Sequence, residues 1–180
     1  MQTTPTDPRI KSTGETVTTK TTDYTAVRVT YDSPLDFERT RARFDERVPA
    51  FDPAISAQLV IDDASWPQVQ AAVDERVGPT GLVALARLDQ GALLSLSGEP
   101  LEATLYLVGN PVLARQVIGF DTAAALYAPF RVAICRDATG VHVAYDKPSS
   151  VFASLGSAGV DAIAVELDEK IRIVVEESVR

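Results

Sequence analysis

Residues 130–146 read FRVAICRDATGVHVAYD, and this stretch decides the fold class. Its two halves, Phe130–Cys135 and Val141–Tyr145, are rich in apolar residues and are joined by the turn-forming residues 137–140. Two strand-like runs separated by a short turn that contains glycine are typical of a β-hairpin. The sequence therefore predicts two adjacent antiparallel strands.

Three stretches before the hairpin are candidates for further strands. Apolar and polar residues alternate from Tyr24 to Tyr31, and Gly81–Leu88 is strongly apolar. Ala103–Val108 has apolar residues on both faces, which is typical of a strand inside a sheet. Residues 92–97 are too few for periodicity to decide between a strand and a short helix.

The longest predicted helix lies near the carboxyl end of the chain. Its apolar residues recur at three- and four-residue steps over about 18 residues. They are Val160, Ile163, Ala164, Leu167, Ile171, Val174 and Val175. This spacing places them on one stripe, which we expect to pack on the sheet.

A second helix is predicted near the amino end. Ser33 and Pro34 fit the N-cap and first turn of a helix over residues 35–48. The following residues, 50–63, are expected to form a loop that contains a short apolar stretch.

Two more helices are predicted from their first residues. Ser65 and Gln68 have the spacing of a capping box, which starts a helix that ends near Val77. Asn110, followed by proline, starts a helix that continues to about Tyr127, with Gly119 and Asp121 as positions that could interrupt it.

Together these elements predict an α+β fold, a two-layer domain whose antiparallel-rich sheet carries helices on one face. Residues 22–180 are of the right length for a single domain of this kind. The preceding residues, 1–21, are rich in threonine and poor in aliphatic side chains. Because they have little apolar surface to bury, we expect them to form a mobile arm.

The composition argues against several functional classes. The 180 residues have a net charge of −8 and contain one histidine and one cysteine. We therefore expect no disulfide framework, no metal site and no nucleic-acid partner. Without a Gly-rich phosphate loop we also expect no cofactor. No run approaches the roughly 18 apolar residues of a membrane span, so we expect a soluble cytoplasmic protein.

Alternation along the predicted strands places three basic side chains on one face of the sheet. Arg28, Arg131 and His142 each stand between apolar residues that we expect to face the helices. A face that carries all three would form a cationic site for a small anionic ligand. The alternatives are a solvated sheet face or a dimer interface.

Asn110 is another candidate binding residue. Its side chain is suited to cap the helix that follows, and the preceding Gly109 permits close approach to the backbone. The helix amides could instead hold an anion.

An alternative hypothesis makes the protein a metal-independent enzyme. Its acid–base groups would be Asp89, Asp121 and Tyr145, with His142, around the helix start at Asn110. Asp121 and Tyr145 also belong to the candidate ligand-binding set.

Several of these residues resemble a known family. The segments YLVGNP (106–111), LYAP (126–129) and PSS (148–150) look like the family called domain of unknown function 302. The resemblance covers roughly residues 82–152, with a weaker match over 24–48. It implies a two-layer α+β fold similar to that of the TATA-binding protein, a helix at 92–97 and no established activity. The resemblance does not imply DNA binding, because a shared fold does not imply a shared function and this chain has a net charge of −8.

The sequence departs from the family pattern in two places. Gln90 stands where many members have a histidine, so no role of that histidine carries over. Segment 49–80 looks longer than the common core, and we interpret it as an insertion that forms a lid or an oligomer contact.

These observations favour a binding domain for a small anionic molecule that forms a homodimer. The alternatives are the enzyme described above and a protein-interaction module that uses the sheet face or the 49–80 segment.

Overall fold

The computed structural model describes residues 17–180. Most of the predicted mobile arm, residues 1–16, therefore lies outside the described residues. Its remaining part, residues 17–21, has no regular secondary structure and is exposed.

Five antiparallel strands form one sheet in the described part of the chain. They are β1 (Arg28–Ser33), β2 (Val83–Asp89), β3 (Ala103–Gly109), β4 (Phe130–Asp137) and β5 (Gly140–Asp146). Their spatial order is β1-β5-β4-β3-β2. The predicted hairpin is β4–β5, in which Val132 lies opposite Tyr145. The predicted inner strand is β3, which pairs with a strand on each side.

Seven α-helices lie within residues 17–180. They are α1 (Phe37–Arg47), α2 (Pro53–Ile61), α3 (Trp66–Asp74), α4 (Gln90–Leu94), α5 (Pro111–Phe120), α6 (Pro148–Phe152) and α7 (Ala158–Ser178). Helix α4 and the 3₁₀ turn that follows it, Ser95–Ser97, provide the helix that the family resemblance implied at 92–97.

The main core lies between the sheet and the helical layer. Its largest fully buried side chains include Tyr106 and Ile134 from the sheet, and Phe44, Phe152 and Ile171 from the helices. The apolar stripe predicted on the last helix faces this core, and only its Ile163 is partly exposed. The α+β class is confirmed, while the likeness to the TATA-binding protein stays a prediction.

Helix α1 begins later than predicted. Ser33 ends β1, and its hydroxyl lies 2.7 Å from that of Thr40 and accepts from the amide of Leu35. The N-cap is Asp36, whose carboxylate accepts from the amide of Arg39 at 2.8 Å. The cap therefore belongs to the next residue that has both a suitable side chain and extended backbone.

The prediction of a loop over 50–63 was wrong, because the segment contains α2. Asp52 caps this helix by accepting from the amide of Ala54 at 2.8 Å, and Pro53 occupies its first position. No residue of α2 is buried, so its apolar residues have no helical periodicity to detect.

Asp121 interrupts the helix predicted from Asn110, at one of the two positions expected to do so. Helix α5 ends at Phe120, because the carboxylate of Asp121 accepts from the amide of Ala123 and starts a separate 3₁₀ turn, Thr122–Leu126. Helix α3 ends at Asp74 instead of near Val77.

The 49–80 segment packs at the start of β2. Phe51 and Val73 form a small buried cluster with Val83. The amide of Phe51 donates to the carbonyl of Ala84, and the amide of Ala84 donates to the carbonyl of Pro49, each at 2.9 Å.

Candidate functional site

The sheet has one face against the helices and one open face. Strand register places on this open sheet face, from β2 to β1, the residues Ala86, Leu88, Ala103, Leu105, Leu107, Arg131, Ala133, Cys135, Asp137, His142, Ala144, Asp146, Arg28, Thr30 and Asp32. Arg28, Arg131 and His142 thus lie on the same face, as alternation along the strands requires.

A carboxylate on the open sheet face neutralises Arg28. Asp146 lies directly opposite Arg28 across the β1–β5 pair. The guanidinium donates to both carboxylate oxygens, at 2.9 and 3.2 Å. Bidentate pairs of this kind occupy the donors that an anionic ligand would use.

Two carboxylates hold His142 in the same way. Its Nδ1 lies 2.8 Å from Asp32, and its Nε2 lies 3.0 Å from Asp137 and 2.9 Å from the hydroxyl of Thr139. The hydrogen bonds to Asp137 and then Asp32 raise the pKa of His142 above its ordinary value of 6.5. The protonated ring donates to both carboxylates.

His142 does not converge with the two arginines. It stands four residues from Asp146 along β5, which corresponds to about 14 Å. The predicted cationic cluster is therefore two separate sites, and each contains acidic partners.

Arg131 is the basic residue of the open sheet face that keeps its charge uncompensated. Within residues 17–180, no carboxylate lies within 4.0 Å of its guanidinium. It lines a cleft at one end of the sheet, here called the Arg131 cleft, which has a volume of about 50 Å³. The other lining residues are Tyr24, Leu126, Tyr127, Pro129, Phe130, Asp146 and Val151.

Aromatic packing orients Tyr127 in the wall of the Arg131 cleft. Its ring packs edge-on against Tyr24 at 6.2 Å and against Phe152 at 5.7 Å, measured between ring centroids. The hydroxyl of Ser154 donates to its phenol oxygen at 3.2 Å, which lowers the pKa of Tyr127. The hydroxyl of Ser154 also donates to the carbonyl of Val151 at 2.7 Å, and the phenol of Tyr127 is held in place by Ser154 and its aromatic neighbours.

Asn110 caps α5. Its Oδ1 accepts from the amides of Val112 at 2.7 Å and Leu113 at 3.2 Å, and its Nδ2 donates to the carbonyl of Gly81 at 2.8 Å. The amides that an anion would contact already have a partner, so capping is the role that this geometry supports.

Asn110 also lines a second, apolar cleft of about 40 Å³. This cleft shares Tyr127, Pro129 and Phe130 with the Arg131 cleft, so the two are neighbours. Residues from the segments 106–111 and 126–129, which carried the family resemblance, thus meet around Tyr127.

The acid–base groups of the enzyme hypothesis are not brought together. Asp89 accepts from the amide of Ala92, so it is a cap, as Asp121 is. Tyr145 is buried on the helix-facing side of β5. Strands β3 and β4 separate β2 from β5, which places Asp89 and Tyr145 about 14 Å apart across the sheet.

No sequence pattern indicated the polar network that lies beside β2. The hydroxyl of Tyr106 donates to Asp45 at 2.8 Å, and Arg87 donates to the other oxygen of Asp45 at 3.1 Å. Burial raises the pKa of Tyr106 far above its ordinary value. An open groove of about 670 Å³ runs past these residues. A tyrosine in a predicted inner strand indicates that its hydroxyl needs a hydrogen-bond partner, but the sequence does not identify that partner.

Residues 17–180 contain no group of three or more histidine, cysteine or acidic side chains placed to hold a metal ion. In the same residues, no helix is both long enough and apolar enough to cross a membrane.

The fold and the cleft define a small two-layer α+β domain with an open sheet face and a polar cleft at one end of it. The chain belongs to the family called domain of unknown function DUF302, whose model matches residues 57–178. The resemblance predicted from the sequence is therefore confirmed. The matched range includes most of the 49–80 segment, whose interpretation as an insertion stays a prediction.

A solved structure shows the same fold. The crystal structure of an uncharacterized conserved DUF302 protein from Bacillus stearothermophilus matches with a TM-score of 0.61 and 14% sequence identity. The match covers 85% of this chain and 98% of that chain. No curated protein matches the chain.

Proposed function

We propose that this protein is a binding domain for a small anionic ligand and that the Arg131 cleft holds the anion. The observation that supports this function is the uncompensated guanidinium of Arg131 in a cleft built from family-motif residues. Guanidinium groups bind carboxylates and phosphates through two parallel hydrogen bonds.

The charges in and around the cleft favour an anion. Asp146 also lines the cleft, but its negative charge is matched by the bidentate pair with Arg28. Arg131 then leaves the site with one net positive charge. A chain whose total charge is −8 would otherwise repel an anion, so the local cation is required for binding.

The remaining walls indicate what kind of anion fits. Leu126, Pro129 and Val151 provide apolar contacts beside the guanidinium. The aromatic ring of Tyr127 forms a further wall beside them. The ligand class is therefore a small carboxylate or phosphate with a compact apolar part, because the cleft volume is about 50 Å³.

Calorimetric titration with acetate, propionate and inorganic phosphate tests this function. Arg131→Gln removes the charged hydrogen bonds and should weaken binding about ten- to a hundred-fold. Arg43→Gln is the matched control, since Arg43 is an exposed arginine of α1 that has no carboxylate within 4.0 Å in the described residues. Binding that is absent from the wild type, or equally weakened by both substitutions, would refute the proposal.

We further propose a cytoplasmic location. A chain with one cysteine forms no internal disulfide, so it needs no oxidising compartment. Fractionation of cells that express the tagged full chain tests this, and recovery outside the cytoplasmic fraction would contradict it.

A further inference from the structure

We propose that the open sheet face pairs with the same face of a second copy of this chain, which makes the protein a homodimer. The face includes Arg131, so this interface and the Arg131 cleft share that residue. Pairing of the two faces is supported by the composition, shape, charge and area of the face.

The composition of the open sheet face is unusual for a sheet side that meets water. Such faces normally carry polar residues that alternate with the buried ones. Here the middle row across β2, β3, β4 and β5 consists of Leu88, Leu105, Ala133 and Ala144. Leu88 is 48% exposed, and the other three are partly exposed.

The shape of the face is self-complementary. Its leucines, Leu88, Leu105 and Leu107, stand on β2 and β3, whereas Ala133 and Ala144 leave a hollow over β4 and β5. A twofold axis between these halves would seat the leucines of each copy in the alanine hollow of the other. Twofold interfaces require a patch that complements itself in this way.

The charges on the face also favour a second copy. With His142 neutral, the face carries Arg28 and Arg131 against Asp32, Asp137 and Asp146, a net charge of −1, so most of the net charge of −8 comes from other parts of the chain. Two copies can approach through this face without the repulsion that their acidic helices would cause. His142 adds a positive charge only when it is protonated.

The area of the face reaches the range of specific interfaces. Five strands spaced about 4.8 Å apart, each about 20 Å long, give roughly 500 Å² per copy. Two copies would bury about 1,000 Å² through the sheets alone, which is the lower limit for a stable dimer. In the described coil before β1, Tyr24 lies beside Arg131 at one end of the face, while Val17, Tyr24 and Val27 remain 90%, 48% and 48% exposed.

Sedimentation velocity of the full chain tests the proposal. The wild type is expected at twice the mass of one chain. Leu88→Lys places a charge in the alanine hollow of the other copy and should weaken association at least about a hundred-fold. Ala133→Lys fills the alanine hollow and should weaken association as well. Ala133 lies on an inner strand, so this variant could fail to fold, whereas Leu88 lies on the exposed edge strand and Leu88→Lys still tests the interface. The matched control is Val165→Lys, at a 62% exposed position of α7, which should leave the dimer intact.

Cys135 provides a second readout, because it is the single cysteine and lies on the open sheet face. Its reaction with a maleimide should slow as the protein concentration rises in the wild type and in Val165→Lys, but not in Leu88→Lys. A monomeric wild type overturns the proposal. Concentration-independent protection of Cys135 in a monomer would show that this chain covers its own face. If the dimer persists in both lysine variants, its interface lies on another surface and the proposal is wrong.

Discussion

Replacing Asp45 with alanine should convert a buried tyrosine hydroxyl from a stabilising group into a destabilising one. Tyr106 is fully buried, and its ring centroid lies 4.7 Å from that of Phe44. Its hydroxyl donates to Asp45 at 2.8 Å, and no other acceptor for it occurs in the described residues. Asp45 also accepts from Arg87, whose side chain is 51% exposed.

The expected cost of Asp45→Ala follows from these contacts. An unsatisfied buried hydroxyl costs about 1–3 kcal/mol, and loss of the half-exposed pair with Arg87 adds up to about 1 kcal/mol. Tyr106→Phe should cost only about 1 kcal/mol, because Asp45 keeps Arg87 and gains water. For a chain of this size, each kcal/mol lowers Tm by roughly 2–4 °C.

The double variant makes the reasoning refutable. In the Asp45→Ala background the hydroxyl has no partner, so adding Tyr106→Phe should be neutral or stabilising. Urea unfolding followed by circular dichroism measures all four free energies of unfolding. If the two substitutions add to within about 0.5 kcal/mol, the hydroxyl and the carboxylate do not interact, and the explanation fails.

Two further predictions concern His142 and Asn110. His142 is the single histidine, so one imidazole NMR signal should titrate above 6.5, and Asp137→Asn and Asp32→Asn should each lower its pKa. Because folding raises the pKa of His142, the stabilisation that its charge provides is complete below pH 6.5 and is lost as the pH rises through the raised pKa. Asp32→Asn should therefore lower the free energy of unfolding more in mildly acidic than in alkaline buffer. An equal loss in both buffers would contradict this. Asn110→Ala removes three hydrogen bonds at the start of α5 and should cost about 1–2 kcal/mol in thermal unfolding. Asp121→Ala, which removes one bond from a 3₁₀ turn, should cost less; the reverse order would count against Asn110 as the stronger cap.

The face that carries Arg28, Arg131 and His142 could be assigned from the sequence, but whether each charge is neutralised could not. Alternation along a strand has a period of two, so Arg28, Arg131 and His142 are assigned to one face from local sequence alone. Whether each cation is neutralised depends on the residue directly across the sheet. Asp146 is 118 positions from Arg28, and Asp32 is 110 positions from His142. No local pattern contains that pairing.

Local patterns were enough to predict the hairpin, the apolar stripe of α7 and the α+β class, because strands and helices repeat over a few neighbouring residues. The family followed from the motifs at 106–111, 126–129 and 148–150. The structure was needed to show that, within residues 17–180, Arg131 has no carboxylate partner, that Tyr106 meets Asp45, and that the open sheet face is apolar at its centre. The physical reason is that strand register and helix packing bring together residues far apart in the chain, and both are chosen by the core as a whole. Helix α2 also could not be predicted from a local apolar pattern. It buries no residue, so its sequence carries no periodicity, and its capping residues were the only local signal.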